Sequence, residues 1–152
     1  MMEVNLKGVF LCSQAVFPSM KERGGGKIVN ISSQAALFGE RGLLAYCVSK
    51  AGVISLTRGL AYEWARYGIR VNAVAPGLVA GGMNEPILKK EAIVNPLSER
   101  VPLRRFAKPE EVVKVVLFLC SEDSSYMNGE VVVVDGGMGG YRSPSLLELL
   151  RG

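Results

Sequence analysis

The chain has 152 residues, of which 49% are hydrophobic, so it is long enough for one domain with a buried core and too short for two ordinary domains. Its 18 basic and 14 acidic residues give a net charge of +4, and the basic residues are scattered, which argues against a nucleic-acid partner. No apolar run reaches the roughly 18 residues of a membrane span, and the first residues lack the layout of a signal peptide, so we expect a cytoplasmic protein with no membrane partner.

The cysteines indicate the same compartment. The sequence has three of them, Cys12, Cys47 and Cys120, which is an odd number, and they lie far apart without CxxC spacing. This pattern is typical of thiols in a reducing cytoplasm rather than of disulfides or a zinc site. We therefore expect three free cysteines, each buried.

A helix and then a strand are predicted at the start of the chain. Residues 3–20 carry apolar side chains at mixed helical spacings, which predicts an amphipathic helix whose last turn is disturbed by Pro18. The run KIVNIS, bounded by glycines before it and hydroxyls after it, predicts a buried parallel strand that ends near Ser32.

The same alternation continues to the end of the domain. Helical spacing returns over residues 43–67, and GIRVNAVAPG follows as a glycine stop, a strand and a proline–glycine loop. Residues 84–95 predict a short mobile helix, and residues 108–121 predict a helix with a proline in its first turn. GEVVVVDGG predicts a third strand, buried on both faces because its valines do not alternate with polar residues.

These elements predict an α/β architecture. Parallel strands joined by helices of this length need right-handed crossovers, which places helices on both faces of the sheet. Only three strands are predicted, and the chain starts inside a helix with no strand before it. We therefore expect the sheet to be incomplete compared with the usual size.

The absence of histidine from the sequence removes several kinds of chemistry. A serine hydrolase of the usual type needs a histidine base, and the chain has none. Histidine-ligated metal sites are excluded on the same ground, and no cluster of carboxylates or thiols replaces them, so no metal is expected. Gly26 and Lys27 are followed by Ile28, where a phosphate-binding loop needs a hydroxyl, so nucleotide hydrolysis is not expected.

Three other side chains suit proton transfer. Tyr46 and Lys50 are four residues apart and share one helix face, where the ammonium favours the phenolate and lowers the tyrosine pKa. Ser33 follows the preceding strand, at the carboxyl edge where open parallel sheets bind ligands. The three together suit proton delivery to a carbonyl oxygen while a hydride arrives from a nicotinamide. Tyrosine and lysine at this spacing also occur on ordinary helix surfaces, and the spacing to Ser33 is what favours catalysis.

Seven stretches, taken in order, resemble the motifs of the short-chain dehydrogenase/reductase family. They are VNLKGVF, GKIVNISS, AYCVSKAG, IRVNAVAPG, RFAKPEEV, FLCSEDSSYMNGE and VDGG. Each is weak alone, but together they are specific and cover essentially residues 1–140. The resemblance implies a Rossmann-like doubly wound parallel sheet, of which this chain holds the carboxyl-terminal half. It divides the chain into a partial domain over 1–140 and a tail over 141–152.

The resemblance also implies roles for four catalytic residues, which by their motifs are Asn5, Ser33, Tyr46 and Lys50. Tyr46 would be the general acid/base, and Ser33 would orient the substrate oxygen. Lys50 would lower the tyrosine pKa and hold the nicotinamide ribose. Asn5 would bend its helix and hold a proton-relay water.

The cofactor implied by the resemblance is NAD or NADP. Its expected contacts, besides Tyr46 and Lys50, are on the backbone of Pro76, Gly77, Leu78 and Val79. The family often has threonine where this chain has Gly81, which puts one side-chain contact in doubt. The sequence contains no GxGxxG fingerprint for the pyrophosphate, and about 90 residues that would carry it are lacking by comparison with ordinary element lengths. Met1 would correspond to a position inside the family's fourth helix.

Two functions are therefore predicted as alternatives. The first is the catalytic half of an NAD(P)-dependent oxidoreductase that interconverts a small-molecule secondary alcohol and a carbonyl, assembled as a homo-oligomer, either dimer or tetramer. The second is a non-catalytic interaction protein that binds full-length relatives through the helices at 3–20 and 44–67, which form the family's usual subunit interface.

Several other segments keep alternatives open. Four charged residues are predicted to be solvated surface: Glu40, Arg41, Glu63 and Arg66. Three apolar residues form either a flexible flap over the substrate or part of the core: Met83, Ile87 and Leu88. The stretch SPSLLELL in the tail predicts a short capped helix that covers either a neighbouring subunit or the site.

Overall fold

The computed structural model describes residues 1–140, which contain one parallel sheet. Its strands lie side by side in the order β1-β2-β3, with the bounds Gly26–Ile31, Ile69–Pro76 and Val131–Val134. Asn30 of β1 pairs with Ala73 of β2, and Ala73 pairs on its other side with Val131 of β3. The predicted α/β class, with every pairing in the described sheet parallel, is confirmed.

The helices of the described residues follow the predicted order, except that a short helix after β1 was not predicted and the helix predicted over 84–95 is divided in two. They are a π-helical segment over Glu3–Lys7, α1 over Gly8–Glu22, α2 over Ala35–Phe38, α3 over Leu44–Trp64, α4 over Glu85–Leu88, α5 over Glu91–Glu99 and α6 over Pro109–Cys120. Helix α1 continues through Pro18 and ends at Glu22, and the predicted disturbance of its last turn stays a prediction. The single helix predicted over 84–95 is replaced by α4 and α5, which are separated by a short break.

Short 3-10 turns complete these elements. They are Ala65–Tyr67, Gly82–Asn84, Glu122–Ser124 and Met138–Gly140. The first of them ends at Gly68, which has a φ of +71°. A Cβ at this position would lie 2.5 Å from the carbonyl oxygen of Gly24, so both the backbone conformation and the close packing require glycine. The predicted glycine stop between α3 and β2 is confirmed.

An apolar cluster packs α1 and α3 onto one face of the sheet. Its buried members are Leu60, Ala61, Trp64, Ile69 and Val71. Phe17 of α1 stacks on the indole of Trp64 with ring centroids 4.5 Å apart. Because burial of one large apolar side chain contributes about 1.5–3 kcal/mol, this cluster is enough to fix the two helices against β2.

Polar side chains hold the opposite face of β2. Side chains alternate between the two faces of a strand, so Arg70 and Asn72 point away from the apolar cluster. The Arg70 guanidinium donates to the carbonyl oxygens of Ser121 at 3.0 Å and Met127 at 3.1 Å. The Asn72 amide donates to the Met127 carbonyl at 3.0 Å and accepts from the N–H of Glu130 at 2.9 Å. The segment after α6 thus covers this face, and the prediction of a sheet covered on both faces is confirmed.

Three of the burial predictions are wrong. β1 and β3 are the two edges of the described sheet, and Ile31 and Val133 are 44% and 41% exposed. Each edge strand lacks a neighbour on one side, so neither is fully buried. All three cysteines are free as predicted, but only Cys47 is buried, whereas Cys12 and Cys120 are exposed.

Residues 1–140 contain neither a membrane-spanning helix nor a cluster of metal ligands. No helix in this range is both long enough and apolar enough to cross a bilayer. The same residues contain no group of three or more cysteine, aspartate or glutamate side chains arranged to hold a metal ion. The tail over 141–152, with the stretch SPSLLELL, lies outside the described residues.

Replacement of Asn72 by alanine tests how the loop before β3 is held. We expect the free energy of unfolding to fall by about 1–3 kcal/mol, because the change leaves the Glu130 N–H and the Met127 carbonyl without this partner. Urea unfolding followed by circular dichroism measures the effect. Asn95→Ala, at an exposed position of α5, is the control and should stay within about 0.5 kcal/mol of the parent. Equal urea midpoints for Asn72→Ala and the parent protein would contradict the assignment.

Candidate active site

Hydrogen bonds join the ends of β1 and β2 just beyond the regular pairing. The N–H of Ser32 donates to the carbonyl of Val74 at 2.8 Å, and the N–H of Gln34 donates to the carbonyl of Pro76 at 2.9 Å. Ser33 lies between these two bonds, so it is fixed next to the end of β2. The carboxyl edge of an open parallel sheet is where such folds bind ligands.

The Ser33 side chain is poised to donate a hydrogen bond. It is 9% exposed, and its Oγ accepts the N–H of Ala35, the first residue of α2, at 3.2 Å. The hydroxyl donates to no other group within residues 1–140. Its proton is therefore available to an oxygen atom of a ligand at the strand ends.

Lys50 connects α3 to the end of β1 through two hydrogen bonds. The Ser32 hydroxyl donates to the Lys50 carbonyl at 2.9 Å, and the Lys50 Nζ donates to the Ile31 carbonyl at 2.9 Å. We call this pair of bonds, made by Ile31, Ser32 and Lys50, the Lys50 clamp. The ammonium is half-buried, and this burial lowers the pKa of Lys50 below its ordinary value of 10.5.

Tyr46 lies one turn before Lys50 on α3, as the spacing predicted. Its side chain is half-buried, and the Lys50 Nζ lies 5.9 Å from the centre of the Tyr46 ring. The ammonium thus lies close to the aromatic ring that carries the phenol group. Its predicted effect on the acidity of Tyr46 stays a prediction.

Asn5 reaches the same turn of α3 through a buried serine. Asn5 is in the π-helical segment, and its amide Nδ2 donates to the Oγ of Ser49 at 3.2 Å. Ser49 is fully buried, and its hydroxyl donates to the carbonyl of Tyr46 at 2.7 Å. The backbone at Asn5 is π-helical, and the expected bend of its helix stays a prediction. The side-chain amide is used to link two helices, and the relay water expected there stays a prediction.

Two serines of this site were missed by the sequence analysis. Ser32 and Ser49 make the bonds that hold Lys50 and Tyr46, and neither was predicted to contribute. A signal for Ser49 is present, since a hydroxyl three residues after Tyr46 can reach back to its carbonyl within one helical turn. Nothing comparable marks Ser32, because its partner is 18 residues away.

The segment after β2 is held by backbone hydrogen bonds on both sides of Val79. Gly77 packs so closely on β3 that a Cβ would lie 2.8 Å from Asp135, and its N–H donates to the Val134 carbonyl at 3.0 Å. The Leu78 carbonyl accepts the N–H of Ala107 at 2.8 Å. The N–H of Val79 has no hydrogen-bond partner within residues 1–140.

These features fit one end of a dinucleotide. The unpartnered N–H of Val79 suits an amide oxygen, and the half-buried ammonium of Lys50 suits ribose hydroxyls. Both groups belong to the segments that follow β1 and β2 at the carboxyl edge. The residues present therefore fit the nicotinamide and ribose of the cofactor, and they include no glycine fingerprint for the pyrophosphate.

The segment predicted as a flap contains little buried surface. Met83 is 84% exposed, so its alternative role in the core is wrong. Ile87 and Leu88 are half-buried, and neither α4 nor α5 has a buried residue. A flap role for these three residues stays a prediction.

The four charged residues predicted to be solvated divide into two groups. Arg41, Glu63 and Arg66 are exposed, as expected. Glu40 is half-buried in an ion pair with Arg100, so the prediction is wrong for this residue.

A parallel sheet covered by helices, with polar side chains gathered at the carboxyl ends of its strands, is the arrangement of Rossmann-type α/β proteins. The family model described as Enoyl-(Acyl carrier protein) reductase matches residues 1–139. The chain belongs to the short-chain dehydrogenase/reductase family, as its motifs indicated.

Known relatives match the chain along most of its length. The 3-oxoacyl-[acyl-carrier-protein] reductase FabG of Thermotoga maritima is 50% identical over 135 residues, which are 89% of this chain and 54% of that protein. Dehydrogenase/reductase SDR family member 4 of Oryctolagus cuniculus is 43% identical over 90% of this chain and 52% of its own length. The chain thus spans about half the length of the curated relatives it matches.

A solved structure agrees with the fold. The crystal structure of a gluconate 5-dehydrogenase from Burkholderia cenocepacia J2315, in complex with NADP and tartrate, superposes with a TM-score of 0.89 at 37% identity. The match covers 93% of this chain and 56% of that one.

A titration can test whether burial lowers the pKa of Lys50. Because burial lowers it in the folded protein, the folded state releases this proton at lower pH than the unfolded chain. The cost of burying the charge is present at neutral pH and disappears as the pH rises from the folded pKa to 10.5, so stability should rise over this window. A ¹³C NMR titration of the lysine Cε, assigned with Lys50→Arg, should show a midpoint below 10.5. A midpoint at or above that value would contradict the burial argument.

Proposed function

We propose that this chain is the catalytic part of an NAD(P)-dependent oxidoreductase that interconverts a secondary alcohol and a carbonyl. The single observation that carries the proposal is the position of the Lys50 ammonium, which lies 5.9 Å from the centre of the Tyr46 ring and is held by the Lys50 clamp. Ser33, with a free hydroxyl proton, follows the same strand end. These are the groups that proton transfer to a carbonyl oxygen needs.

In this proposal each residue has a separate task. The Tyr46 hydroxyl gives its proton to the substrate oxygen during reduction and takes it back during oxidation. The Ser33 hydroxyl donates a hydrogen bond to the same oxygen as negative charge develops there. Lys50 favours the phenolate through its positive charge. Asn5 acts through Ser49, which holds the backbone of Tyr46 in place.

The cofactor would be held at its nicotinamide end by groups already in place. When bound, a nicotinamide dinucleotide supplies or accepts the hydride. Lys50 has two further N–H groups besides the one that it donates to Ile31, and these can reach ribose hydroxyls. The remaining proposed contacts are Tyr46 and the backbone of Pro76, Gly77, Leu78 and Val79. Among these, the N–H of Val79 is the group without a protein partner in residues 1–140.

The substrate class is a small-molecule alcohol or carbonyl compound. Relatives named for a 3-oxoacyl thioester and for gluconate share this catalytic portion. Both substrate types carry the oxygen on a secondary carbon, which is what the Ser33 and Tyr46 pair would address. We also propose that the protein is cytoplasmic and that it forms a homo-oligomer, either a dimer or a tetramer.

A second candidate is a non-catalytic chain that binds full-length relatives. It is favoured by the exposed apolar side chains on the helices predicted to form the interface. Those on α1 and α3 that are at least 40% exposed are Phe10, Leu11, Val16, Leu44, Val48 and Tyr62. Exposed apolar residues on adjacent helices are typical of a surface that a protein partner covers.

Binding of half-cofactors tests the proposed nicotinamide site. The sequence has no pyrophosphate fingerprint, so we expect NADH and reduced nicotinamide mononucleotide to bind within about a factor of ten of each other, a difference below 1.4 kcal/mol. Amide chemical shifts should change at Val79 in an NMR titration with either compound. Lys50→Met should weaken both, whereas Lys27→Met should not, because Lys27 is near the amino end of β1 and Lys50 binds its carboxyl end. Binding of NADH more than about a hundredfold tighter would contradict this expectation.

Replacement of Tyr46 by phenylalanine tests the assigned acid. With cofactor at millimolar concentration, we expect turnover of a 3-oxoacyl thioester or gluconate to fall by about a hundredfold or more, because the proton donor is lost. Nicotinamide absorbance measures the rate. Tyr62→Phe is the matched control, since Tyr62 is on the same helix and 90% exposed. Full activity of Tyr46→Phe would show that another group is the acid, and no turnover by the parent chain would favour the second candidate.

A further inference from the structure

Residues 80–106 form a long connection between β2 and α6. Its two ends are joined where the N–H of Ala80 donates to the carbonyl of Ala107 and the N–H of Ala107 donates to the carbonyl of Leu78, each at 2.8 Å. Helices α4 and α5 belong to this connection, and neither contains a buried residue. Because no residue of α4 or α5 is buried, local opening of these two helices costs little free energy.

The two ends of the helical part are held very differently. On the carboxyl side Val101 is 2% exposed and packs against Gly136, and the Leu103 N–H donates to the Gly136 carbonyl at 3.3 Å. On the amino side Gly81 and Gly82 have φ values of +89° and +55°, and a Cβ at either position would meet no atom within 4 Å. The segment therefore has a packed end after α5. On the amino side the two glycines pack against no side chain, and Asn84 bridges them by donating its amide to the Val79 carbonyl at 2.7 Å and its N–H to the Gly81 carbonyl at 3.1 Å.

One ion pair joins the end of α5 to the opposite side of the site. The Nη2 of Arg100 donates to both carboxylate oxygens of Glu40, at 3.0 Å and 2.8 Å. The two residues are 60 positions apart, and Glu40 belongs to the loop that leads into α3 and Tyr46. The Glu40 side chain is 21% exposed and that of Arg100 46%, so water screens this pair less than it screens a pair on the open surface.

We propose that Glu40 and Arg100 are positioning residues that form a latch holding residues 81–100 against the loop before Tyr46. With the latch closed, the end of α5 stays against the loop before Tyr46. With the latch open, α5 moves away from that loop and admits the substrate. Only this last step rests on the proposed function, since the latch itself concerns the opening of one segment.

Hydrogen exchange followed by mass spectrometry tests the latch on this chain without any activity assay. We expect Glu40→Gln and Arg100→Gln each to speed exchange of the amides in 85–99 by roughly two- to fivefold, the range of a partly exposed ion pair. The double change should add little to either single one, because both remove the same interaction. The exchanged pair Glu40→Arg with Arg100→Glu should restore protection. Exchange in α6, over Pro109–Cys120, should not change in any variant.

The matched control is Glu3→Gln, which removes the exposed ion pair between Glu3 and Lys7 in the π-helical segment. It should leave exchange in 85–99 at the parent rate. The latch is overturned if Glu40→Gln behaves like Glu3→Gln, if exchange rises equally in α6, or if the exchanged pair fails to restore protection. Each of these outcomes is independent of whether Tyr46 is the catalytic acid.

The salt dependence of hydrogen exchange distinguishes an electrostatic latch from a contact that depends on packing alone. Raising the ionic strength from 0.1 M to 1 M shortens the screening length from about 10 Å to about 3 Å. Exchange in 85–99 of the parent protein should then approach that of Glu40→Gln, which should itself respond little. An equal response of the two proteins to salt would overturn the electrostatic latch.

Discussion

The candidate site depends on the Lys50 clamp. An edge strand ends in a carbonyl that needs a hydrogen-bond donor, and the Lys50 ammonium supplies it while the Ser32 hydroxyl binds the Lys50 carbonyl in return. These two bonds fix one turn of α3 against the end of β1. The Tyr46 ring is held beside the same ammonium, and Ser33 is the next residue after Ser32. One lysine thus serves the packing of the helix and the electrostatics of the site, and its burial is the reason for its lowered pKa.

The central strand gives this arrangement a rigid support. Residues 71–75 of β2 are all buried, with an apolar cluster on one face and the Arg70 and Asn72 network on the other. The segment that follows β2 carries α4 and α5, in which no residue is buried. The groups assigned to proton transfer therefore lie on the well-packed part of the molecule, whereas α4 and α5 have no buried residue to hold them in place. This contrast suits a site that must hold reacting atoms in place and still exchange its ligands.

Much of the fold could be predicted because its signals are local. The spacing of Tyr46 and Lys50 on one helical face needed only the helical period. The run of valines in β3 misled the analysis, since it indicates a fully buried strand while Val133 faces the open side of the described sheet. Pro18 lies inside α1, which continues to Glu22, so this proline does not end the helix. The break between α4 and α5 had no clear sequence signal.

The sequence by itself determined the order of helices and strands, the parallel sheet and the short set of candidate residues, because these follow from periodicity and from motifs within single segments. Only the tertiary structure decided which distant groups meet: Asn5 with Ser49, 44 positions apart, and Glu40 with Arg100, 60 apart. Glutamate side chains are usually exposed, and the residues next to Glu40 in the sequence do not indicate which residue it pairs with. Hydrogen bonds and ion pairs act over a few ångströms, so their partners are settled only when packed elements bring remote side chains within that distance.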